Sequence, residues 1–262
     1  MRLYSNRLTA AVNRKGVMDV DTVKGCSCGM AASAGGCYGE CYAAKTAAFR
    51  GYDFSVSVSR HLYEADRIAI LETVYKHPAS WYRIGVAGDP CHDWDNTVKV
   101  CELLAPAGKV PVIITKHWIE ASAGHLNRLR LVGCVFNTSV SGMDSDYQLW
   151  DRLQQIERVS KAGMVSVCRV VTCRFGAGEW ADRCRGIQEY LLSLEPVIDT
   201  PLRATAHNPR VLDGSIVLTA RPDSVGGGAS KMVSLHNCNV YLGTCDKCPD
   251  QCGVPQGGNC EE

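Results

Sequence analysis

An α/β protein built on a parallel sheet is what this sequence predicts, and three observations predict it. Short β-branched apolar runs recur along the middle of the chain. Amphipathic segments of helical period separate them, and no internal repeat or low-complexity stretch breaks the alternation. Strands covered on both faces read as nearly continuous apolar runs, which is how these read.

Taken in order, strands fall at 82–87 (YRIGVA), 110–115 (VPVIIT), 134–139 (CVFNTS), 165–172 (VSVCRVVT) and 215–219 (SIVLT). Helices fall between them at 95–104, 118–129, 146–162 and 179–194. In the third helix Tyr147, Trp150, Leu153, Ile156 and Val159, with Glu157 beside them, form one mainly apolar stripe, read as core-facing. Gly163 then supplies the stop before the next strand. Repeated βα units require a parallel sheet with helices outside it, doubly wound or curling toward a barrel. Gly226, Gly227 and Gly228 read as a flexible turn before the C-terminal segment.

The chain has 262 residues, with 28 Lys and Arg against 27 Asp and Glu. One large domain, alone or with a small appendage, fits that length. Near-zero net charge excludes a broad basic face for nucleic acid. No apolar run approaches the ~20 residues of a membrane span. The opening MRLYSNRLTA lacks an apolar signal core, so a cytoplasmic chain with no membrane partner is expected. Fifteen cysteines are the abnormal feature. An odd, clustered count in such a chain points to metal or cluster ligation rather than disulfides.

Six cysteines are scattered through the middle. Of these, Cys101, Cys134 and Cys168 sit in apolar stretches and read as core, while Cys91, Cys173 and Cys184 are left open. The other nine lie in two groups. The N-terminal group is Cys26, Cys28, Cys37 and Cys41. Thiolates suit zinc or iron–sulfur centres. Zinc ordinarily wants four closed ligands, so three cysteines, at 28, 37 and 41, suit a 4Fe–4S cluster with one iron left for a small molecule. Cys26 is the alternative that would close the set to four. His92 and His117, at the ends of strand regions, are candidates to face a cavity.

With GCSCGMAASAGGCYGECYAAKTA followed by RIGVAGDPCHDWDNTVKVCELLAPAGKVPVIITKH and CVFNTSVSGMDSDYQLWDRLQQIERVSKAGMVSVCRVVT, the chain resembles the radical S-adenosylmethionine (radical SAM) superfamily over roughly residues 22–220, and especially its small phage-encoded members. The resemblance implies a partial (β/α)6 barrel over 1–225, with its cluster loop after the first strand, and a Cys-rich segment over 226–262. It implies that Cys28, Cys37 and Cys41 hold the cluster. Ala87, Gly88, Asp89 and Pro90 match the family's Gly-Gly-Glu-Pro motif, so Gly88 and Asp89 would receive the methionyl amino group. Asn137 and Ser139 would approach the ribose or the methionyl carboxylate, and Tyr42 counts among the cofactor contacts. Glu40 stands before the last loop cysteine, where the family has an aromatic residue. The implied activity is reductive cleavage of S-adenosylmethionine, with a ferredoxin or flavodoxin as reductant and a small molecule or docked macromolecule as substrate.

The C-terminal group runs Cys238, Cys245, Cys248, Cys252 and Cys260. Its C-x2-C-x3-C core can wrap a second 4Fe–4S cluster, with Cys238 or Cys260 as fourth ligand. A zinc knot, with His236 as a substitute ligand, is the competing reading. Family members with an auxiliary C-terminal cluster favour iron–sulfur at Cys238, Cys245, Cys248 and Cys252. Two readings from other classes stand beside the enzyme: a non-catalytic iron–sulfur electron carrier, and a zinc-stabilised binding module.

Overall fold

A computed structural model describes residues 1–220, 232–237 and 240–255. Cys238, Cys260 and the Gly226–Gly228 turn lie outside the described residues. The chain begins with β1 (Ala11–Val12), β2 (Met18–Asp19), β3 (Val23–Lys24), α1 (Ser27–Ala32), α2 (Tyr42–Phe49), β4 (Val58–Ser59) and α3 (Glu64–Lys76). It continues through β5 (Trp81–Ile84), α4 (Trp94–Leu104), β6 (Val110–Thr115), α5 (Ala123–Val132), β7 (Val135–Val140), α6 (Asp146–Lys161) and β8 (Val165–Thr172). Then come β9 (Arg174–Phe175), α7 (Glu179–Leu192), β10 (Val197–Pro201), α8 (Pro209–Leu212), β11 (Ile216–Val217), β12 (Thr219–Ala220) and β13 (Met232–Val233).

One seven-stranded sheet organises these elements, in the order β1-β2-β5-β6-β7-β8-β10. Its six strands from β2 to β10 pair in parallel and in chain order, while β1 joins β2 antiparallel. Helices connect the successive parallel strands, as parallel pairing demands. The arrangement is compatible with a partial barrel; among the described residues its edge strands do not meet.

Three expectations need correction. The α6 stripe faces the core only in part: Tyr147 and Trp150 are exposed, Leu153 and Ile156 are half-buried, and Val159 alone of the five is buried. The run at 215–219 is not a strand of this sheet: β11 pairs antiparallel with β9, and β12 with β13. The sixth parallel strand is β10 instead, whose VIDTP sequence ends in a proline that an edge strand tolerates. The helix expected at 118–129 begins only at Ala123, because Ser122 and His125 form a capping box that fixes the start there. Helix α3 and β2, the first of the parallel strands, lie outside the elements that the sequence predicts.

Both faces of the sheet are covered. Outward, Tyr82, Ile84, Ile113 and Phe136 pack under Val74 of α3, Val98 and Cys101 of α4 and Leu129 of α5. Inward, at the opposite parity, Trp81, Val112, Val135, Val167 and Ile198 pack against Cys252 and Val254 of the C-terminal segment. Double coverage explains the continuous apolar runs. Cys101, Cys134 and Cys168 are core residues as expected, and Cys91, Cys173 and Cys184 prove equally buried.

Candidate metal centre and adjoining cleft

The N-terminal cysteine loop sits at the C-terminal end of the parallel strands, where backbone contacts pin it. Gly25 and Gly88 form a parallel bridge, and the Gly25 N–H donates to the Ala87 carbonyl at 3.0 Å. A Cβ on Gly88 would stand 2.4 Å from the Val23 carbonyl, and one on Gly25 would stand 2.1 Å from that of Val56. Neither position has room for a side chain. The Asp21 carboxylate accepts from the backbone N–H groups of Gly85, Val86 and Ala87 at 2.8–3.1 Å, fixing the segment that follows β5.

Two thiols meet there, with a third cysteine beside them. Cys26 caps α1: its sulfur turns inward to accept from the Gly29 N–H at 3.3 Å. A Cβ built on Gly29 would meet the Cys26 Sγ at 2.8 Å and the Cys37 Sγ at 3.2 Å, so both sulfurs flank one glycine. Cys41 packs beside them, its Cβ 2.8 Å from where a side chain on Gly36 would begin. Burial above all, and then the nearby Asp89 carboxylate, pushes the Cys26 thiol far up. Burial raises Cys37 as well, Lys116 opposing it and Cys41 adding to it. The grouped set is therefore Cys26, Cys37 and Cys41, with Cys28 half-buried two residues along α1. Sequence spacing favours Cys28; the capping geometry at the start of α1 brings in Cys26.

The other expected contacts fall in several places. Asp89 is buried, and its carboxylate is engaged on both oxygens. Oδ1 accepts from Cys91 N at 3.1 Å and Thr115 Oγ1 at 2.6 Å; Oδ2 accepts from Lys116 N at 2.8 Å. It caps the 3-10 turn Pro90–Asp93, while Asp93 caps α4. Asn137 commits its amide to the other end of the sheet: Nδ2 donates to the Cys252 carbonyl at 2.9 Å and Oδ1 accepts from Arg169 at 3.1 Å. Ser139 lies one pleat further along that face, buried. Tyr42 donates its hydroxyl to the Val86 carbonyl at 3.1 Å, with Arg203 over its ring. Glu40 anchors the loop, pairing with Lys45 and accepting from Thr205 N at 2.9 Å.

Burial governs both histidines. His117 is buried on the helix-covered face, stacked on Phe136 with its Nε2 3.2 Å from Thr138 Oγ1. Burial, helped by Arg152 and Arg158 and opposed by Asp89, lowers its pKa to about 4. It is therefore neutral at pH 7. His92 is lowered too, chiefly by burial.

Beside Cys37 opens a cleft of about 380 Å³ between the cysteine loop, the segments after β6 and β7, and helices α6, α7 and α8. Its floor carries charges the sequence reading missed. Asp144 and Arg152 form an ion pair at 2.6 Å, both side chains 2 % exposed. Burial alone would raise the Asp144 carboxyl, but Lys116 and Arg152 outweigh it and hold it below the usual carboxylate range. Arg152 Nε also donates to the Lys116 carbonyl at 3.0 Å. Tyr38 donates its hydroxyl to Asp144 and accepts from the Lys116 ammonium. No local pattern in the sequence unites Tyr38, Lys116, Asp144 and Arg152; only their convergence in space does.

The C-terminal thiols lie on the inner face of the sheet, toward the N-terminal ends of its strands. Cys245 N donates to the Lys15 carbonyl at 2.9 Å, and Trp81 Nε1 donates to Gln251 Oε1 at 3.0 Å. Gln251 Nε2 in turn donates to the carbonyls of Cys245 and Cys248 at 3.3 and 2.8 Å. Cys252 thiol and Arg169 stand 3.8 Å apart, and Arg83, held by Asp19 at 3.0 Å, bears on Cys245.

Among the described residues, no three Cys, His, Asp or Glu side chains close around one point as the ligands of a single metal ion do. The donor sets themselves are soft thiols, which fit iron–sulfur or zinc. A cubane carries each thiolate on a different corner iron, so it accepts a looser set than a single zinc ion does. No family model matches this chain, and no curated protein matches it. No helix among the described residues is long and apolar enough to cross a membrane.

Proposed function

We propose that the chain is an iron–sulfur enzyme of the radical SAM kind. What carries the reading is the grouping of Cys26, Cys37 and Cys41 in one loop at the C-terminal end of a parallel sheet, with Cys37 lining an adjoining open cleft. In α/β barrels that end is where ligands are handled. A 4Fe–4S cluster with an open iron would supply one-electron cleavage of S-adenosylmethionine; the protein's task is placement and shielding. Cys26, Cys37 and Cys41 would hold the cluster, releasing their thiol protons as they bind. Asp89 holds the segment facing them, and Tyr38 with Asp144 lines the space into which a substrate would enter. The C-terminal thiols Cys245, Cys248 and Cys252 would hold a second, auxiliary cluster, with Cys238 as the fourth ligand.

One observation favours a second reading, a non-catalytic iron–sulfur protein. Asp89 already accepts three hydrogen bonds from the protein, so a methionyl ammonium would have to share or displace them. A single experiment separates the readings: anaerobic reconstitution, iron analysis and electron paramagnetic resonance of the reduced protein with and without S-adenosylmethionine. The enzyme reading expects about four irons per cluster, a signal perturbed by S-adenosylmethionine, and loss of that signal in Cys26→Ala, Cys37→Ala and Cys41→Ala but not Cys28→Ala. An unperturbed signal leaves the electron carrier; stoichiometric zinc with negligible iron overturns both.

A further inference from the structure

The cleft beside Cys37 has a charge pattern of its own. Three cations line it, each lying over an aromatic ring: Lys116 over Tyr38 at 4.3 Å, Arg152 over Trp118 at 4.7 Å and Arg210 over Trp180 at 4.2 Å. Two of them are neutralised locally. Arg152 pairs with Asp144 at 2.6 Å, and Arg210 with Asp213 at 3.3 Å. Lys116 has only a share of Asp144, which already pairs with Arg152, so these three side chains leave one cation in excess. Its ammonium donates to the Tyr38 hydroxyl, which itself donates to Asp144, so of its three donors one is engaged among the described residues.

The remainder of the lining is largely apolar, with Met143, Pro209 and the Trp180 ring prominent. At about 380 Å³ the space is that of a small-molecule site, and such sites combine apolar walls with few fixed polar groups. A partly buried ammonium in such a wall calls for an anion, since leaving it unpaired is the costly alternative.

We propose that this cleft binds a small organic anion, a carboxylate or phosphate group on a compact apolar body, through the Lys116 ammonium. The proposal deepens the enzyme reading by naming the substrate class of its site, and it rests on that reading for the word substrate. The anionic group meets Lys116 and the apolar body lies along Met143 and Pro209, which leaves the ligand flanked by Cys37. Arg152 and Asp144 act as positioning residues. Arg152 holds the Lys116 carbonyl through Nε, and Asp144 holds the Tyr38 hydroxyl that orients the ammonium.

Calorimetric titration tests this with benzoate and phenyl phosphate as the probes and benzyl alcohol as the neutral control, on the full chain, both cluster-loaded and metal-free. Saturable binding of at least one anion is expected, with the tighter of the two identifying the headgroup, and no binding of the alcohol. Lys116→Met should weaken the anion by about ten- to a hundredfold, the range of a charge-assisted hydrogen bond. Lys116→Arg should restore most of it. Both variants keep the backbone contacts of residue 116 to Asp89 and Arg152, and circular dichroism checks their fold. Absence of binding by either anion, or equal binding by Lys116→Met, overturns the proposal. Full displacement of the probe by S-adenosylmethionine would also overturn it, because the cleft would then be the cofactor's. Failure of the enzyme reading shows differently: iron or S-adenosylmethionine effects vanish while anion binding in the metal-free chain persists.

Discussion

The two cysteine groups share a chemistry and differ in what surrounds them. Cys26, Cys37 and Cys41 stand at the C-terminal end of the strands, near the Asp89 carboxylate and next to a cleft. Cys245, Cys248 and Cys252 lie on the sheet's inner face, near Arg83 and Arg169, under an apolar layer that includes Trp81 and Val254. Burial raises both the Cys26 and the Cys245 thiols; Asp89 adds to that rise at Cys26, whereas Arg83 and Arg169 oppose it at Cys245. Cys37 of the first group lines the cleft, whereas Cys252 of the second packs into the core against the sheet, with Cys245 and Cys248 half-buried. Similar thiols thus stand in two settings, one beside a cleft and one against the inner face of the sheet, and the difference lies in neighbours rather than in spacing.

The sharpest break in this comparison comes from the charge pair under the first group. Asp144→Ala strands Arg152 in a site where both side chains are 2 % exposed. Breaking a buried pair from one side costs about 3–5 kcal/mol. Urea denaturation should show that loss, whereas replacing both partners, Asp144→Leu with Arg152→Met, should recover much of it. Equal losses in the single and double variants would show that the pair is not what the region depends on.

Next in size is a pH effect confined to the same end of the sheet. His117 has its folded pKa lowered from 6.5 to about 4 by burial, so the unfolded chain binds the proton first as pH falls. Stability is therefore full above pH ~6.5 and declines between about 6.5 and 4, by about 3 kcal/mol in all. His117→Asn should flatten denaturation curves across that window; residue 117 has φ of +50°, a conformation asparagine accepts. An unchanged slope would place the acid sensitivity elsewhere.

How much of this was legible in sequence follows from where the determinants lie. The four strands from β5 to β8 announced themselves through apolar runs, because both faces of the sheet are covered. β10 did not, since VIDTP carries one charged and one hydroxyl residue and ends in proline. The loop cysteines were visible as a group, but the choice of Cys26 over Cys28 depends on where α1 begins, and a cap is a matter of one backbone conformation. Asn137 was read as a cofactor contact, yet its amide meets a carbonyl 115 residues away. The Tyr38, Lys116, Asp144 and Arg152 network comes from a loop, two strand ends and a helix, a juxtaposition that periodicity does not carry.

A smaller effect sharpens the role of Asp89. In Asp89→Asn one oxygen remains for Cys91 N and Thr115 Oγ1, but the amide nitrogen would face the Lys116 N–H, donor against donor. A buried donor left without an acceptor costs about 1–3 kcal/mol. Thermal or urea unfolding should register that loss before any cofactor is added. Unchanged stability would mean that Asp89 is free to serve a ligand, and would strengthen its expected contact with the methionyl ammonium.

The mildest perturbation addresses the second group and asks whether the two regions move independently. Gln251→Glu keeps an acceptor for Trp81 Nε1 but removes both donors to the Cys245 and Cys248 carbonyls. A carboxylate oxygen would face one or both carbonyls, so the turn that carries the three thiols should open more readily. Net hydrogen bonds are worth about 0.5–1.5 kcal/mol each, and part of the loss is recovered by water, so local opening should become easier by about 1–2 kcal/mol. Cys252 is 8 % exposed and Cys26 9 %, so alkylation of either requires opening. The Cys252 rate should rise roughly 5–30-fold, the factor that free-energy change represents, while the Cys26 rate stays fixed. Gln251→Asn should raise the Cys252 rate less, because it suits the φ of +42° at this position while shortening the reach of its amide. If Cys26 accelerates in step with Cys252, the sheet transmits opening from one end to the other, and the contrast between the two ends gives way to a single cooperative unit.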